Sequence, residues 1–156
     1  MRILVLGLGN DILADDAVGL LVAQVLRKEL AGLPGVVVEE TSLHGMALLD
    51  IFIGYQKAIL LDAIQTGTHP PGAILELDPA KLGRVTSPSP HFAGLPEMVA
   101  TAQQLSLDFP AEFRILAMEV ADARTIGGAM TPEVVTAIPE LARRAAALVR
   151  EWVAQA

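Results

Sequence analysis

Short apolar runs of strand length alternate along this chain with segments whose apolar residues recur at helical spacing. The strand-like runs cover residues 2–6, 36–38, 58–61 and 113–118, and the helical segments cover residues 16–30, 46–53 and 95–105. Strands that alternate with helices are typical of parallel strands joined by helical crossovers. The sequence therefore predicts an α/β fold, a single three-layer domain over residues 1–156 with a twisted, mostly parallel sheet of about five strands and helices on both faces.

Two further segments complete this prediction. Residues 73–77 alternate between apolar and polar and follow a Pro-Pro-Gly turn, so we expect an edge strand that runs in a different direction. The last helix is predicted to begin at Thr131, because the sequence Thr-Pro-Glu suits an N-cap, a first helical position and a first turn. Pro139 is predicted to kink this helix or to divide it.

Charge and composition exclude several kinds of protein. The formal net charge is −7, so a nucleic-acid backbone would be repelled. No apolar run approaches the length of about 20 residues that crosses a bilayer, and residues 1–8 do not resemble a signal peptide. We therefore expect a cytoplasmic protein that binds neither nucleic acid nor membrane. The chain has no cysteine, which leaves Asp, Glu and His as its strong metal ligands.

The turn after the first strand suggests a dinucleotide site, but its residues do not fit one. Residues 7–10 read Gly-Leu-Gly-Asn, and a G-x-G-x-x-G fingerprint would require glycine where the chain has Ile12. Asp15 and Asp16 follow, and their charge would repel a pyrophosphate at the start of the helix. A nucleotide site is therefore not expected here.

Three carboxylates lie where ligands usually bind in open α/β sheets, beyond the carboxyl ends of the strands. Asp15 and Asp16 follow the first predicted strand, and Asp62 ends the third. Acids at a helix start also cap free N–H groups, so one of the first two, with Asp15 as the better candidate, can be a cap while the other faces the cleft. Asp62 follows an apolar run, where a carboxylate needs a metal, a cation or backbone amides as its partner.

Histidines supply a different kind of candidate ligand. His91 lies in a loop predicted over residues 84–92 and stiffened by prolines, while His44 follows the second strand and is the rival. His69 is expected in an exposed turn. Two carboxylates and one imidazole from separate segments fit an open metal site, because three protein ligands leave a position for water or substrate. Neither a G-x-S-x-G elbow nor an H-E-x-x-H helix is present, so no nucleophile stands out.

Taken together, these motifs resemble those of the nickel-iron hydrogenase maturation endopeptidases. The similarity extends from residue 1 to about residue 150, and four short motifs in the right order are specific together. The matching segments are residues 2–10 followed by Asp15, Asp16 and Gly19, then Asp62-Ala63, then Ser89-Pro90-His91 with Gly94-Leu95, and finally Thr131-Pro132-Glu133-Val134.

The resemblance implies a fold, an activity and a site. Family members have a twisted, mostly parallel sheet covered by helices, and they remove a C-terminal extension from the hydrogenase large-subunit precursor after nickel insertion. The resemblance thus implies an aspartic-type, metal-dependent endopeptidase. The family's metal-contacting residues correspond to Asp16, Asp62 and His91, which are implied to be both catalytic residues and metal ligands. Nickel is the implied metal, carried either by the precursor or by the free protein.

Two residues depart from the pattern of the family. Ala17 stands where glycine is common after the Asp-Asp pair, and His44 stands in a loop that is usually rich in small residues. Either residue could change the shape of the cleft, and His44 could add a ligand. A second class of function also fits the sequence, a binding module that checks nickel loading without hydrolysing a peptide bond.

Overall fold

Five strands form a single sheet in the computed structural model, which describes residues 1–82 and 89–156. The strands are β1 (Ile3–Leu8), β2 (Val36–Thr41), β3 (Lys57–Ile64), β4 (Ile74–Leu77) and β5 (Glu112–Glu119). Their order across the sheet is β2-β1-β3-β5-β4, and only β4 is antiparallel to its neighbour among these strands. The predicted mostly parallel sheet and its reversed edge strand are both confirmed.

Helices cover both faces of this sheet. They are α1 (Val18–Glu29), α2 (Leu49–Phe52), α3 (Leu95–Gln104) and α4 (Pro132–Ala154). Alternate residues of a strand point to opposite faces, so Val5 and Ile59 join the core beneath α1 and α4, whereas Leu4 and Leu60 join the core beneath α2 and α3. These two apolar cores make the three-layer arrangement that the alternation of elements predicts.

Two predicted element boundaries are wrong. β3 continues to Ile64, so Asp62 lies within the strand rather than at its end. α4 is one helix of 23 residues, so of the two outcomes predicted for Pro139, a kink or a division, the division is contradicted. Leu141 and Ala145, which follow Pro139 on the apolar side of α4, are fully buried, and this packing keeps the helix continuous despite the proline. In the part of the chain that the structure describes, none of the helices combines the length and apolar character needed to cross a membrane.

Close packing at Gly19 sets the position of α1 over the sheet. A Cβ atom added to Gly19 would lie 2.2 Å from the carbonyl oxygen of Leu8 and 2.6 Å from that of Leu61. Only glycine permits this approach of the first turn of α1 to β1 and β3. The 3-10 turn Ala14–Ala17, which directly precedes α1, is thereby held over the carboxyl ends of these two strands.

Candidate metal centre at the carboxyl edge of the sheet

Asp16, Asp62 and His91 lie side by side in the folded chain. One potential ligand atom from each residue can be chosen so that all three atoms lie within 4.8 Å of one another. The exposed fractions of the residues are only 3%, 0% and 5%, respectively. Three separate segments supply them, namely the 3-10 turn before α1, strand β3, and the 3-10 turn Pro90–Phe92. The structure therefore brings together the three residues that the family resemblance implies as metal ligands.

The pleat of β3 directs Asp62 toward His91. Leu60 and Ile64 belong to the core beneath α2 and α3, and Asp62 between them points to the same face. The turn that carries His91 precedes α3 on that face, and His91 Nδ1 lies 3.2 Å from Asp62 Oδ2. The other oxygen of Asp62, Oδ1, accepts the backbone N–H of Ala63 at 2.8 Å. The carboxylate thus has the partners that its burial requires.

The described part of the segment that carries His91 is a buried 3-10 turn. The Ser89 side chain accepts the backbone N–H of His91 at 3.2 Å and so caps this turn. Both residues are buried. Residues 84–88 of the loop predicted over residues 84–92 lie outside the described residues. The burial of His91 could not be predicted from the sequence, because this segment has no helical or strand periodicity.

Asp16 approaches the opposite side of the His91 ring. Its Oδ2 lies 3.9 Å from His91 Nε2, and its carboxylate accepts a hydrogen bond from the backbone of Asn10. The Asn10 backbone belongs to the turn after β1, whose residues do not fit a dinucleotide fingerprint. In the fold, this turn supports a carboxylate instead.

The electrostatics of the cluster favour a bound positive charge. Burial raises the pKa of Asp62 and of Asp16 above the usual range of a carboxyl group. Burial alone would lower the pKa of His91, but the hydrogen bond and charge of Asp62, with the charge of Asp16, raise it overall. The metal-free cluster therefore tends to retain protons, and a divalent cation would displace them on binding.

The donor set also fits a transition-metal ion. Two carboxylates and one imidazole suit nickel, and they suit zinc as well. Donors bound to one ion at about 2.0–2.2 Å can lie no more than about 4.4 Å apart. The three ligand atoms lie within 4.8 Å of one another, close to this limit.

Asp15 has a role that differs from the predicted helix cap. Its Oδ1 accepts the backbone N–H of Thr131 at 2.6 Å, and its Oδ2 accepts the Thr131 hydroxyl at 2.6 Å. Oδ2 also accepts the backbone N–H groups of Ala121 and Asp122 at 3.2 and 2.9 Å. Asp15 therefore fastens the segment between β5 and α4 to the turn that carries Asp16. Because Asp15 binds the Thr131 hydroxyl, that hydroxyl does not cap α4.

We expect Asp15→Asn to destabilise the fold. The amide NH₂ of asparagine would face donors that now point at a carboxylate, and each buried donor left without an acceptor costs about 1–3 kcal/mol. Urea unfolding should give a lower free energy of unfolding than in the wild type. Asp11→Asn is the matched control, because Asp11 is an exposed acid of the same segment. Equal stability of Asp15→Asn and the control would contradict this role of Asp15.

The other two histidines lie outside the cluster. His44 is exposed and precedes the 3-10 turn Gly45–Leu48, and His69 is exposed with its Nδ1 3.0 Å from Thr68 Oγ1. The exposed turn predicted for His69 agrees with the structure. Gly45 packs so closely on the segment after His91 that an added Cβ would lie 2.2 Å from the Ala93 carbonyl oxygen. His44 therefore borders the histidine turn without joining the three ligands.

A cleft of about 610 Å³ adjoins the turn that carries Asp16. Ala17, the residue that replaces the family's common glycine, forms part of its wall together with Asn10, Thr41 and Met130. Asn10 connects this cleft to the cluster, since its backbone binds Asp16. The methyl group of Ala17 thus shapes the cleft rather than the ligand set.

The mostly parallel five-stranded sheet and the Asp-Asp-His cluster at its carboxyl edge identify this chain as an α/β protein with a candidate metal centre. The family model for hydrogenase maturation proteases of the HycI type matches residues 21–148. The chain belongs to the hydrogenase maturation protease family and is accordingly an endopeptidase, a hydrolase that acts on peptide bonds.

Individual relatives agree with this assignment. The hydrogenase 2 maturation protease of Escherichia coli (strain K12) is 30% identical over 118 residues, which are 74% of this chain and 71% of that protein. The hydrogenase expression/formation protein HupD of Rhizobium leguminosarum bv. viciae is 25% identical over 154 residues, 97% of this chain and 75% of the relative. The structure of the hydrogenase maturating endopeptidase HybD from E. coli superimposes with a TM-score of 0.78 at 27% identity, covering 97% of this chain and 93% of that one.

Proposed function

We propose that this protein removes the C-terminal extension from a nickel-loaded large-subunit precursor of a [NiFe]-hydrogenase. The observation that carries the proposal is the convergence of Asp16, Asp62 and His91, all buried, at the carboxyl edge of the sheet. Membership of the hydrogenase maturation protease family supports the substrate class. A cytoplasmic location stays a prediction from the sequence.

Nickel is best regarded as part of the substrate in this proposal. It enters with the precursor, and Asp16, Asp62 and His91 are the residues that would contact it. A divalent ion in such a position polarises a carbonyl group and lowers the pKa of a bound water. Burial raises the pKa of Asp16 and of Asp62, and a cation bound between them would favour their ionised forms.

Hydrolysis requires a proton acceptor for the attacking water and a proton donor for the leaving amide nitrogen. Asp16 suits this transfer, because burial raises its pKa and because its neighbour Ala17 lines the open cleft. Its carboxylate would take the proton from water as the water oxygen bonds to the scissile carbonyl carbon. The same proton would then pass to the amide nitrogen as the carbon–nitrogen bond breaks.

Ser89 does not qualify as a covalent nucleophile, although it contacts both His91 and Asp62. In a Ser-His-Asp triad, the serine and the aspartate contact opposite nitrogens of the imidazole. Here Ser89 Oγ and Asp62 Oδ2 both lie near Nδ1, at 3.1 and 3.2 Å. The arrangement therefore favours attack by water.

Inhibitors can test this choice of nucleophile. Thiol reagents are expected to leave processing unchanged, because the chain has no cysteine. Serine-directed acylating reagents should also fail, since Ser89, the described serine in contact with His91, lies near the same ring nitrogen as Asp62 and so lacks the arrangement of a triad. Processing rates and the intact mass of the treated protein are the measurements. Stoichiometric labelling of one serine with loss of activity would show that the mechanism is covalent.

The proposed function is tested by incubating the protein with precursor in nickel-loaded and nickel-free forms. Mass measurement should reveal the mature subunit and the released extension, with masses that add up to the precursor plus one water. We expect these products only from the loaded precursor. Binding of the loaded precursor with no change in mass would instead support a nickel-checking module without hydrolytic activity.

A further inference from the structure

Ser89 makes a set of contacts that neither metal binding nor water activation uses directly. Its hydroxyl donates to Asp62 Oδ2 at 2.6 Å and accepts the backbone N–H of His91 at 3.2 Å. The same oxygen lies 3.1 Å from His91 Nδ1. The residue is buried in the cluster and sits two positions before the histidine. Ser89 therefore contacts both residues of the Asp62–His91 pair.

These distances constrain which ring nitrogen of His91 carries hydrogen. A hydroxyl has a single proton, and that of Ser89 is directed to Asp62 at the shortest of the three distances. Nδ1 thus faces two oxygen lone pairs, one on Ser89 and one on Asp62, at 3.1 and 3.2 Å. An unprotonated Nδ1 would be repelled by both oxygens, whereas Nδ1–H satisfies both.

The geometry points to Ser89 as a positioning residue. We propose that Ser89 and Asp62 together hold the His91 imidazole with Nδ1 protonated and with the Nε2 lone pair turned toward Asp16. A histidine that binds a metal commonly donates its other ring N–H to a carboxylate, which fixes the ring and its tautomer. Ser89 extends this arrangement by fixing the carboxylate as well as the backbone of the histidine.

The assignment leaves Asp62 able to contact a metal. A carboxylate has about four lone-pair sites. Among the described residues, Ala63 uses one site on Oδ1, and Ser89 with His91 use two on Oδ2. The remaining site belongs to Oδ1. The inference therefore deepens the proposed function, on which its catalytic meaning rests, by naming Asp16, Asp62 Oδ1 and His91 Nε2 as the groups left open.

Nitrogen-15 NMR of His91 in the free protein tests the tautomer without any precursor. The pH is raised until the His91 signals stop changing, so that the ring is neutral. We expect the shift of a protonated nitrogen at Nδ1 and that of an unprotonated nitrogen at Nε2. Ser89→Ala should shift this balance toward the Nε2–H tautomer. An Nε2–H ring in the wild type, or an unchanged tautomer in Ser89→Ala, would overturn the inference.

Processing of the nickel-loaded precursor supplies the second measurement. Ser89→Ala should process about 10–100-fold more slowly, the usual loss when a group that orients a ligand is removed. Ser89→Thr keeps the hydroxyl and should recover both the tautomer and most of the rate. Ser106→Ala is the control, because Ser106 is exposed beyond the end of α3. Equal rates for Ser89→Ala and this control would contradict the positioning role.

The two measurements separate failure of this inference from failure of the proposed function. If the wild type does not cleave the precursor but has the Nδ1–H tautomer that Ser89→Ala loses, the proposed function fails and the positioning of His91 stands. If the wild type cleaves the precursor and Ser89→Ala retains both rate and tautomer, the proposed function stands and Ser89 is only structural.

Discussion

His91→Ala is expected to abolish processing of the nickel-loaded precursor while the protein stays folded. Alanine removes the imidazole that links Asp62 to Asp16 and leaves the metal with at most two protein ligands. We expect the rate to fall by more than about 10–100-fold, since removing even a group that orients a metal ligand costs that much. His91 is buried, so some loss of stability should accompany the change, within the range of about 0.5–3 kcal/mol. Product masses and thermal unfolding are the two measurements.

His44→Ala is the matched histidine control for this experiment. His44 is exposed beside the histidine turn but lies outside the three-residue cluster. The control should therefore keep most of its activity. Near-normal processing by His91→Ala would remove His91 from the site, and a complete loss in folded His44→Ala would place His44 there instead.

Asp62→Asn is expected to have a similarly large effect through charge alone. Asparagine preserves the shape of the side chain but is a poor metal ligand, so we expect processing to fall by about 10²-fold or more in a folded protein. The substitution should also lower the pKa of His91, because the hydrogen bond and charge of Asp62 raise it in the wild type. An NMR titration of His91 in the metal-free variant measures this shift.

Asp50→Asn serves as the control for charge removal. Asp50 is exposed at the start of α2, so its neutralisation should change neither the processing rate nor the titration of His91. If His91 titrated in Asp62→Asn as it does in the wild type, the ion pair between Asp62 and His91 would be contradicted. If it processed the precursor at the wild-type rate, Asp62 would not be part of the chemistry.

The sequence predicts the sheet well because its signals are local. An apolar run of strand length and a helical spacing of apolar residues can each be recognised within a short segment. The alternation of these two kinds of segment along the chain favours parallel strands joined by helical crossovers. The boundaries are less predictable. Asp62 looks like the end of a strand because it is charged, but Ala63 and Ile64 continue the strand and are buried. Pro139 looks like a break, but tertiary packing holds α4 together.

The sequence predicts which types of residue gather at the carboxyl edge of the sheet. It does not predict their contacts or their burial. The partners of Asp15 lie between 106 and 116 residues further along the chain, so no local pattern can reveal them. The burial of His91 and its contact with Asp62 depend equally on tertiary structure. The role of Ser89 has a weak local signal, since serine followed by proline is a common start of a helical turn.

Nickel-edge X-ray absorption on a freeze-quenched mixture of nickel-loaded precursor and this protein tests the central claim most directly. The claim is that Asp16, Asp62 and His91 meet the nickel carried by the precursor. The wild-type mixture should therefore show additional nitrogen or oxygen ligands around nickel, compared with the precursor alone, and the mixture with His91→Ala should lack at least the imidazole contribution. A nickel shell that stays unchanged in the wild-type mixture while the precursor is being cleaved would contradict the account.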